Sequence, residues 1–295
     1  MAAANVRGSV LVTGASTGIG RAAAMELARQ GFTVFAGVRK AQDGFSIEAD
    51  SKTVGMLSSV IIDVADTGSI AAAVKQISDS VGEEGLAGVI NNAGISVVGP
   101  IEFVSLENFR RQFDVNFFGV IAVTQATLPL LRQHVARRGK GSARLVNMSS
   151  IAGRIAQPIL GPYTASKFAL ESLTDSLRME LSPQGIQVCS VNPGAIDTPI
   201  WNKARATADA MASEQLMREI YGPMIDGVTA TAERAHASAA PVAIVATAVL
   251  SCMTAARPRT RYFVGKDAKS GAFAKRFIPD RLFDRILARY FQSES

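Results

Sequence analysis

Tyr163 and Lys167 stand four residues apart at the end of the stretch SIAGRIAQPILGPYTASK, which begins at Ser150. If this segment opens a helix, both side chains leave one face, a turn apart. A free phenol has a pKa near ~10 and carries protons sluggishly at neutral pH. Bringing it to pH 7 takes roughly three units, or about 4 kcal/mol. One positive charge about 4 Å away, at an effective dielectric near 20, supplies about that much. The pair therefore reads as a tuned acid–base couple in which the ammonium of Lys167 draws the phenol of Tyr163 down. Ser150 lies upstream and adds a hydroxyl able to hold a reacting oxygen. Tyr-x-x-x-Lys also arises by chance in many helices, so the assignment rests on residues 13–20, residues 91–94 and Asn116.

The elements that must position these groups are short apolar runs alternating with helical periodicity. Ser9–Val12 reads as a buried strand, and residues 21–30 as a helix stopped by Gly31. Between them lies the turn Thr13-Gly14-Ala15-Ser16-Thr17-Gly18-Ile19-Gly20. Its glycines let the backbone approach a pyrophosphate, and free N–H groups at the helix start bind the charge. Thr33–Val38 predicts the second strand, with Arg39 and Lys40 directly after it. Residues 60–62 predict the third strand, followed by Asp63 and Val64, and residues 70–81 a helix. Residues 89–90 enter Asn91-Asn92-Ala93-Gly94. Residues 106–135 read as one long helical stretch holding Asn116, a poor helix former in an apolar run.

Ala143–Met148 predicts the fifth strand and delivers Ser150 to its C-terminal end, where open α/β sheets place ligands. Residues 163–181 form the helix that carries the pair, and residues 188–191 the sixth strand. Residues 200–240 connect too loosely for a plain turn and predict a small helical lid. Its apolar residues, among them Trp201, Met211, Leu216, Met217, Ile220, Tyr221, Met224 and Ile225, suit cover over a lipophilic substrate. Residues 241–255 read as a buried helix and Arg261–Val264 as the last strand. The tail, residues 273–291, carries a basic amphipathic helix. Leu282, Phe283, Ile286, Leu287, Tyr290 and Phe291 share one face, and Arg281, Arg285 and Arg289 lie elsewhere. Such a helix packs on its own body or a partner subunit, covers the active-site mouth, or touches a membrane surface weakly.

In this order and at these spacings the motifs resemble the short-chain dehydrogenase/reductase family, over roughly residues 8 to 265. The tail motifs RPRTRYFVG and PDRLFDRIL resemble the retinol- and 17β-hydroxysteroid-dehydrogenase branch. The resemblance implies one doubly wound, Rossmann-type α/β domain with a parallel sheet in the order 3-2-1-4-5-6-7. That domain spans residues 1–265, with the lid at about 200–240, and residues 266–295 form a helical extension. It implies interconversion of an alcohol and a carbonyl, with Ser150, Tyr163, Lys167 and Asn116 as the catalytic set. Asn116 would hold a water that links the lysine to solvent. The cofactor would meet Gly14, Ser16, Thr17, Gly18, Ile19 and Gly20, then Arg39, then Asp63 and Val64. Further contacts would come from Asn91, Ala93 and Gly94, from Tyr163 and Lys167, and from Pro193, Gly194, Ile196 and Thr198. Asn92 would be structural.

At the end of the second strand, NAD enzymes place an acid that accepts from the ribose 2′-hydroxyl. Here that position is Val38, and Arg39 follows. An arginine there pairs with a 2′-phosphate, which favours NADP(H). Ser16 and Thr17 stand where many NADP relatives carry a second basic residue, which keeps NAD(H) open. The rival to catalysis is a dinucleotide-binding sensor. Such relatives typically lose the tyrosine or the lysine, and both are present.

Composition narrows the classes. A chain of 295 residues at 48% hydrophobic builds a sizeable core. Two cysteines imply no disulfide framework and fit a reducing cytosol. The net charge of +6 is spread without an aromatic-laced basic stripe, so nucleic acid is not an expected partner. No His/Cys/carboxylate cluster has ligand spacing, so no metal is expected. The first residues lack an apolar targeting segment, and the apolar run 241–250 is too short to span a bilayer. The expectation is a cytoplasmic homodimer or homotetramer acting on a small lipophilic molecule.

Overall fold

The computed structural model describes residues 7–199 and 215–292. Seven parallel strands form one sheet in the order β3-β2-β1-β4-β5-β6-β7. They are β1 Ser9–Val12, β2 Thr33–Val38, β3 Leu57–Ile61, β4 Leu86–Asn91, β5 Ala143–Met148, β6 Ile186–Pro193 and β7 Arg261–Val264. The helices between them are α1 Gly18–Arg29, α2 Ala41–Ser51, α3 Thr67–Val81, α4 Leu106–Phe113, α5 Gly119–Arg138 and α6 Gly161–Leu181. After β6 come α7 Gln215–Ala237 and α8 Ala243–Thr254, and after β7 come α9 Lys266–Phe277 and α10 Asp280–Gln292. The expected fold class and strand order are both found.

The strands are short and apolar because both sheet faces are covered. Side chains alternate between the faces with period two. Val10 and Val12 enter a cluster with Ala24, Leu27, Val245 and Val249 from α1 and α8. Leu11 enters the other, with Ile70, Ile77, Val123 and Leu131 from α3 and α5. The same alternation repeats along β5, where Val146 joins the first cluster and Leu145 the second. The strand ends are thereby fixed in depth, and the loops leaving them meet above one edge.

Two expectations are corrected, and one helix is new. The stretch 106–135 is not one helix. It is α4, a π turn at Asp114–Phe118, and α5. The π turn contains Asn116, so the poor helix former sits where the α ladder is widened. Helix α2 was not legible, because its buried side is only Gly44, Ile47 and Ser51. The tail is two helices rather than one, parted at Ile278 and Pro279. Leu106–Arg138 is long and apolar enough by composition to cross a membrane, yet it packs on β4, β5 and α3 within the body.

Candidate active site

The loops after the strands enclose a cleft of about 2000 Å³. The first turn of the chain builds one end. Gly14 and Gly18 have φ of +65° and +57°, a region that costs an L side chain strain. No side chain caps the N-terminus of α1, so its first N–H groups are open to an anion. A Cβ on Gly20 would fall on the carbonyl oxygen of Gly14 and the amide of Asn92. Thr13, which motif reading passed over, accepts from the N–H groups of Asn92 and Ala93 at 3.0 and 3.1 Å. Asn92 donates to the Thr13 carbonyl at 2.9 Å, which locks the glycine turn to the loop after β4. An uncapped helix start beneath glycines with no room for a Cβ fits the pyrophosphate of a dinucleotide.

Of the residues singled out from the sequence, Gly14, Ser16, Thr17, Gly18, Ile19, Gly20, Arg39, Asp63, Val64, Ala93 and Gly94 line this cleft. So do Ser150, Tyr163, Lys167, Pro193, Gly194, Ile196 and Thr198. Arg39 is exposed, and Asp63 accepts from the N–H of Ala65 at 3.0 Å. Two residues stand back from the cleft wall. Asn91 is buried and gives its amide N–H groups to Thr124 Oγ1 and Asn147 Oδ1, at 3.1 and 3.0 Å, so it braces the sheet. Asn116 is fully buried, and its side chain is spent on protein. Its Oδ1 accepts from the N–H of Ile95 at 2.9 Å, and its Nδ2 donates to the Ile95 carbonyl and to Ser166 Oγ at 3.0 and 3.2 Å. Its amide thus ties the loop after β4 to α6 beside Lys167.

Ser150 opens a 3₁₀ turn at Ile151–Gly153 and accepts from the N–H of Ala152 at 3.1 Å. Tyr163 lies in the first turn of α6, which begins with Gly161 and Pro162. The expected four-residue stagger puts Lys167 below it, with Nζ 5.8 Å from the ring centre. Nζ donates to the Met148 carbonyl at 2.8 Å. That bond anchors the ammonium to the end of β5. Burial, not Lys167, dominates the phenol and pushes it above its ordinary value, while a hydrogen bond with Ser150 draws it back. Burial also lowers Lys167 to about 8, and the charge of Glu171 opposes the fall. Near neutral pH the site therefore holds a protonated phenol beside an ammonium, a poise for donating a proton.

The far wall of the cleft is apolar. Ile155, Leu160 and Val228 line it together with Leu287 and Phe291 of α10. Here the lid reading is corrected. Leu216, Ile220 and Met224 are exposed and Met217 is buried, and none of them lines the cleft. Trp201 and Met211 lie outside the described residues. Helix α7 and the tail share the wall: α7 gives Val228, Thr231 and Ala235, and the inner face of α10 gives Leu287 and Phe291. A Cβ on Gly227 of α7 would fall on the Phe291 carbonyl, so a glycine is what lets α10 seat this closely. Among the described residues no group of three His, Cys, Asp or Glu side chains is placed to hold a metal.

Comparison with known proteins agrees with this geometry. The family model for short chain dehydrogenase matches residues 8–209. An NADPH-dependent 3-dehydrocapnine reductase from Ornithobacterium rhinotracheale is 33% identical, over 94% of this chain and 94% of its own. Retinol dehydrogenase 16 from Rattus norvegicus is 35% identical, over 94% of this chain and 86% of its own. Among solved structures, an actinorhodin polyketide ketoreductase with NADPH superposes with a TM-score of 0.74. It is 26% identical and covers 91% of this chain and 99% of its own.

Proposed function

The chain belongs to the short-chain dehydrogenase family, and from that premise we propose that it is an NADP(H)-dependent oxidoreductase interconverting a lipophilic alcohol and its carbonyl compound. An oxidoreductase of alcohol or carbonyl groups that binds a nicotinamide dinucleotide follows from membership. The choice of NADP(H) and the lipophilic substrate are our reading.

The observation that carries the chemistry is the meeting of Ser150, Tyr163 and Lys167 on one wall of the cleft. The dinucleotide supplies or accepts hydride when bound. The chain's own residues handle the oxygen and its proton. Tyr163 gives its proton to the carbonyl oxygen in reduction, or takes one from the alcohol in oxidation. Ser150 hydrogen-bonds the same oxygen and holds the reacting carbon in place. Lys167, fixed by Met148, sets a positive field beneath the phenol and would hold the ribose hydroxyls. Asn116 acts at one remove, by fixing the start of α6. Gly14 to Gly20 and Thr198 would bracket the phosphates and the carboxamide.

Arg39 favours NADP(H), because it stands exposed at the end of β2 where Val38 replaces an acid. One observation favours NAD(H): the turn itself offers Ser16 and Thr17 and no second cation. The relatives differ in their named substrates, so the lipophilic reading rests on the apolar wall. The test measures kcat/KM for apolar and polar ketones with each cofactor, in the native chain and in Arg39→Ala. We expect apolar carbonyls and NADPH to be preferred. Arg39→Ala should weaken NADPH by about tenfold or more, the loss of a charge-assisted bond worth about 1.5–3 kcal/mol, and leave NADH unchanged. An unchanged NADPH affinity would make Arg39 a bystander.

The tail adds a further proposal of ours. Leu282 and Ile286 are about half exposed on the outer side of α10, beside the exposed Arg281, Arg285 and Arg289. This supports weak contact with an anionic membrane surface. Full-length protein should pellet with anionic vesicles more than with zwitterionic ones, and less after Leu282→Ser with Ile286→Ser. Equal pelleting in all cases removes the idea.

A further inference from the structure

Glu171 is a carboxylate buried behind the cleft, 4% exposed, and nothing in the chemistry above uses it. It lies on α6 one turn beyond Lys167, on the same side of the helix. Its Oε2 accepts from Arg261 Nε at 2.7 Å and faces Arg154 at 3.4 Å. Its Oε1 accepts from Asn192 Nδ2 at 2.8 Å, and the same amide reaches the backbone carbonyl of Ser150 at 3.4 Å. Asn192 immediately precedes the Pro193–Gly194 turn on the cleft wall. A Cβ on Gly153 would come within 3.0 Å of Glu171 Cγ and 2.9 Å of the Lys167 carbonyl. The turn after Ser150 therefore lies flat on the stretch of α6 that carries both residues.

A carboxylate this deep is costly unless paired, and the guanidinium groups of Arg261 and Arg154 face it. Arg261 is shared with Asp175, so its charge is divided between two acids. Around Glu171 the charged groups are thus Arg154, Arg261 and Lys167, with Asp175 drawing on Arg261. Around Lys167 they are Glu171 and the phenol of Tyr163. Glu171 is the anion that acts on Lys167.

We propose that Glu171 is a positioning residue of the reaction: it holds Lys167 in its charged form from one turn along α6 and, through Asn192, fixes the backbone that presents Ser150. This inference rests on the reading that Ser150, Tyr163 and Lys167 carry out the chemistry. Two effects follow. Removing the charge lets Lys167 lose its proton at lower pH. Removing the hydrogen bonds loosens the Ser150 turn at every pH.

The test follows NADPH affinity by nicotinamide fluorescence, and kcat/KM for carbonyl reduction, between about pH 6 and 10 in Glu171→Gln and Glu171→Asp. A charged Lys167 exists only below its pKa, so both quantities fall as pH rises through it. In Glu171→Gln this alkaline limb should move down by about one unit, giving roughly tenfold loss above it on top of a smaller loss at every pH from the loosened Ser150 turn. Glu171→Asp, which keeps the charge, should restore the limb. A uniform loss with an unmoved limb in Glu171→Gln would reduce the residue to a structural one and overturn the proposal. If Glu171→Gln does not fold, Arg154→Gln decides. It leaves Glu171 less neutralised, so the limb should move up, and an unmoved or lowered limb overturns the proposal. Turnover retained by Tyr163→Phe would instead sink the underlying catalytic reading, and the two failures are distinct.

Discussion

Tyr163→Phe is expected to fold, to bind the dinucleotide as tightly as the native chain, and to lose about 10²–10⁴ in turnover. The magnitude is that of a positioned general acid. Phenylalanine keeps the ring in the first turn of α6 and keeps the ring face toward Lys167. It deletes only the O–H. Lys167 does not depend on that hydroxyl for its place, because Met148 holds it from the opposite side. The pH behaviour has a definite sign. The phenol is raised above its ordinary value, so it is protonated throughout the neutral range and ready for reduction. Lys167 loses its charge near pH 8. Reduction should therefore hold level below that pH and decline above it. Oxidation needs the phenolate and should improve as pH rises. Near-native turnover in Tyr163→Phe, with binding intact, would remove the tyrosine from the chemistry.

Gly20→Ala is expected to abolish useful dinucleotide binding. The added Cβ falls on backbone, the Gly14 carbonyl, and on the Asn92 amide that locks the turn to the loop after β4. Backbone cannot rotate aside as a flexible side chain would, so the turn must open. Overpacking of this kind costs about 1–3 kcal/mol of stability. It also misaligns the N–H groups at the start of α1. Affinity for NADPH should drop by more than about tenfold. Melting should fall by several degrees while the far-ultraviolet spectrum stays native. Native affinity in this variant would show that the pyrophosphate lies elsewhere.

The sheet was legible because its signal is local. Buried parallel strands are short, apolar and β-branched, and a glycine turn after the first of them has few meanings. Tyr163, Lys167 and Ser150 were legible because spacing alone puts them at one strand end and one helix start. What the sequence hid was competition for partners. Asn91 also braces the sheet, through Thr124 and Asn147, a role its motif does not announce. Lys167 looks like the group that acidifies the phenol until burial of the ring decides the sign. The oddity of Asn116 in an apolar run was a true signal, but of a π turn and a brace on Ile95 and Ser166. Glu171 gave no signal, because its partners Arg154, Asn192 and Arg261 are brought to it only by the folded sheet. The share of the cleft wall that each helix supplies was hidden for a related reason. An apolar side chain is equally readable in α7 and α10, and only the close crossing at Gly227 brings the tail inward.

The most direct measurement is a titration of the native chain with NADPH, followed by nicotinamide fluorescence, with Gly20→Ala alongside. The account predicts saturable binding in the native chain, a loss of that binding in Gly20→Ala, and weaker binding of NADH. Absence of binding for both dinucleotides by the folded native chain would contradict it.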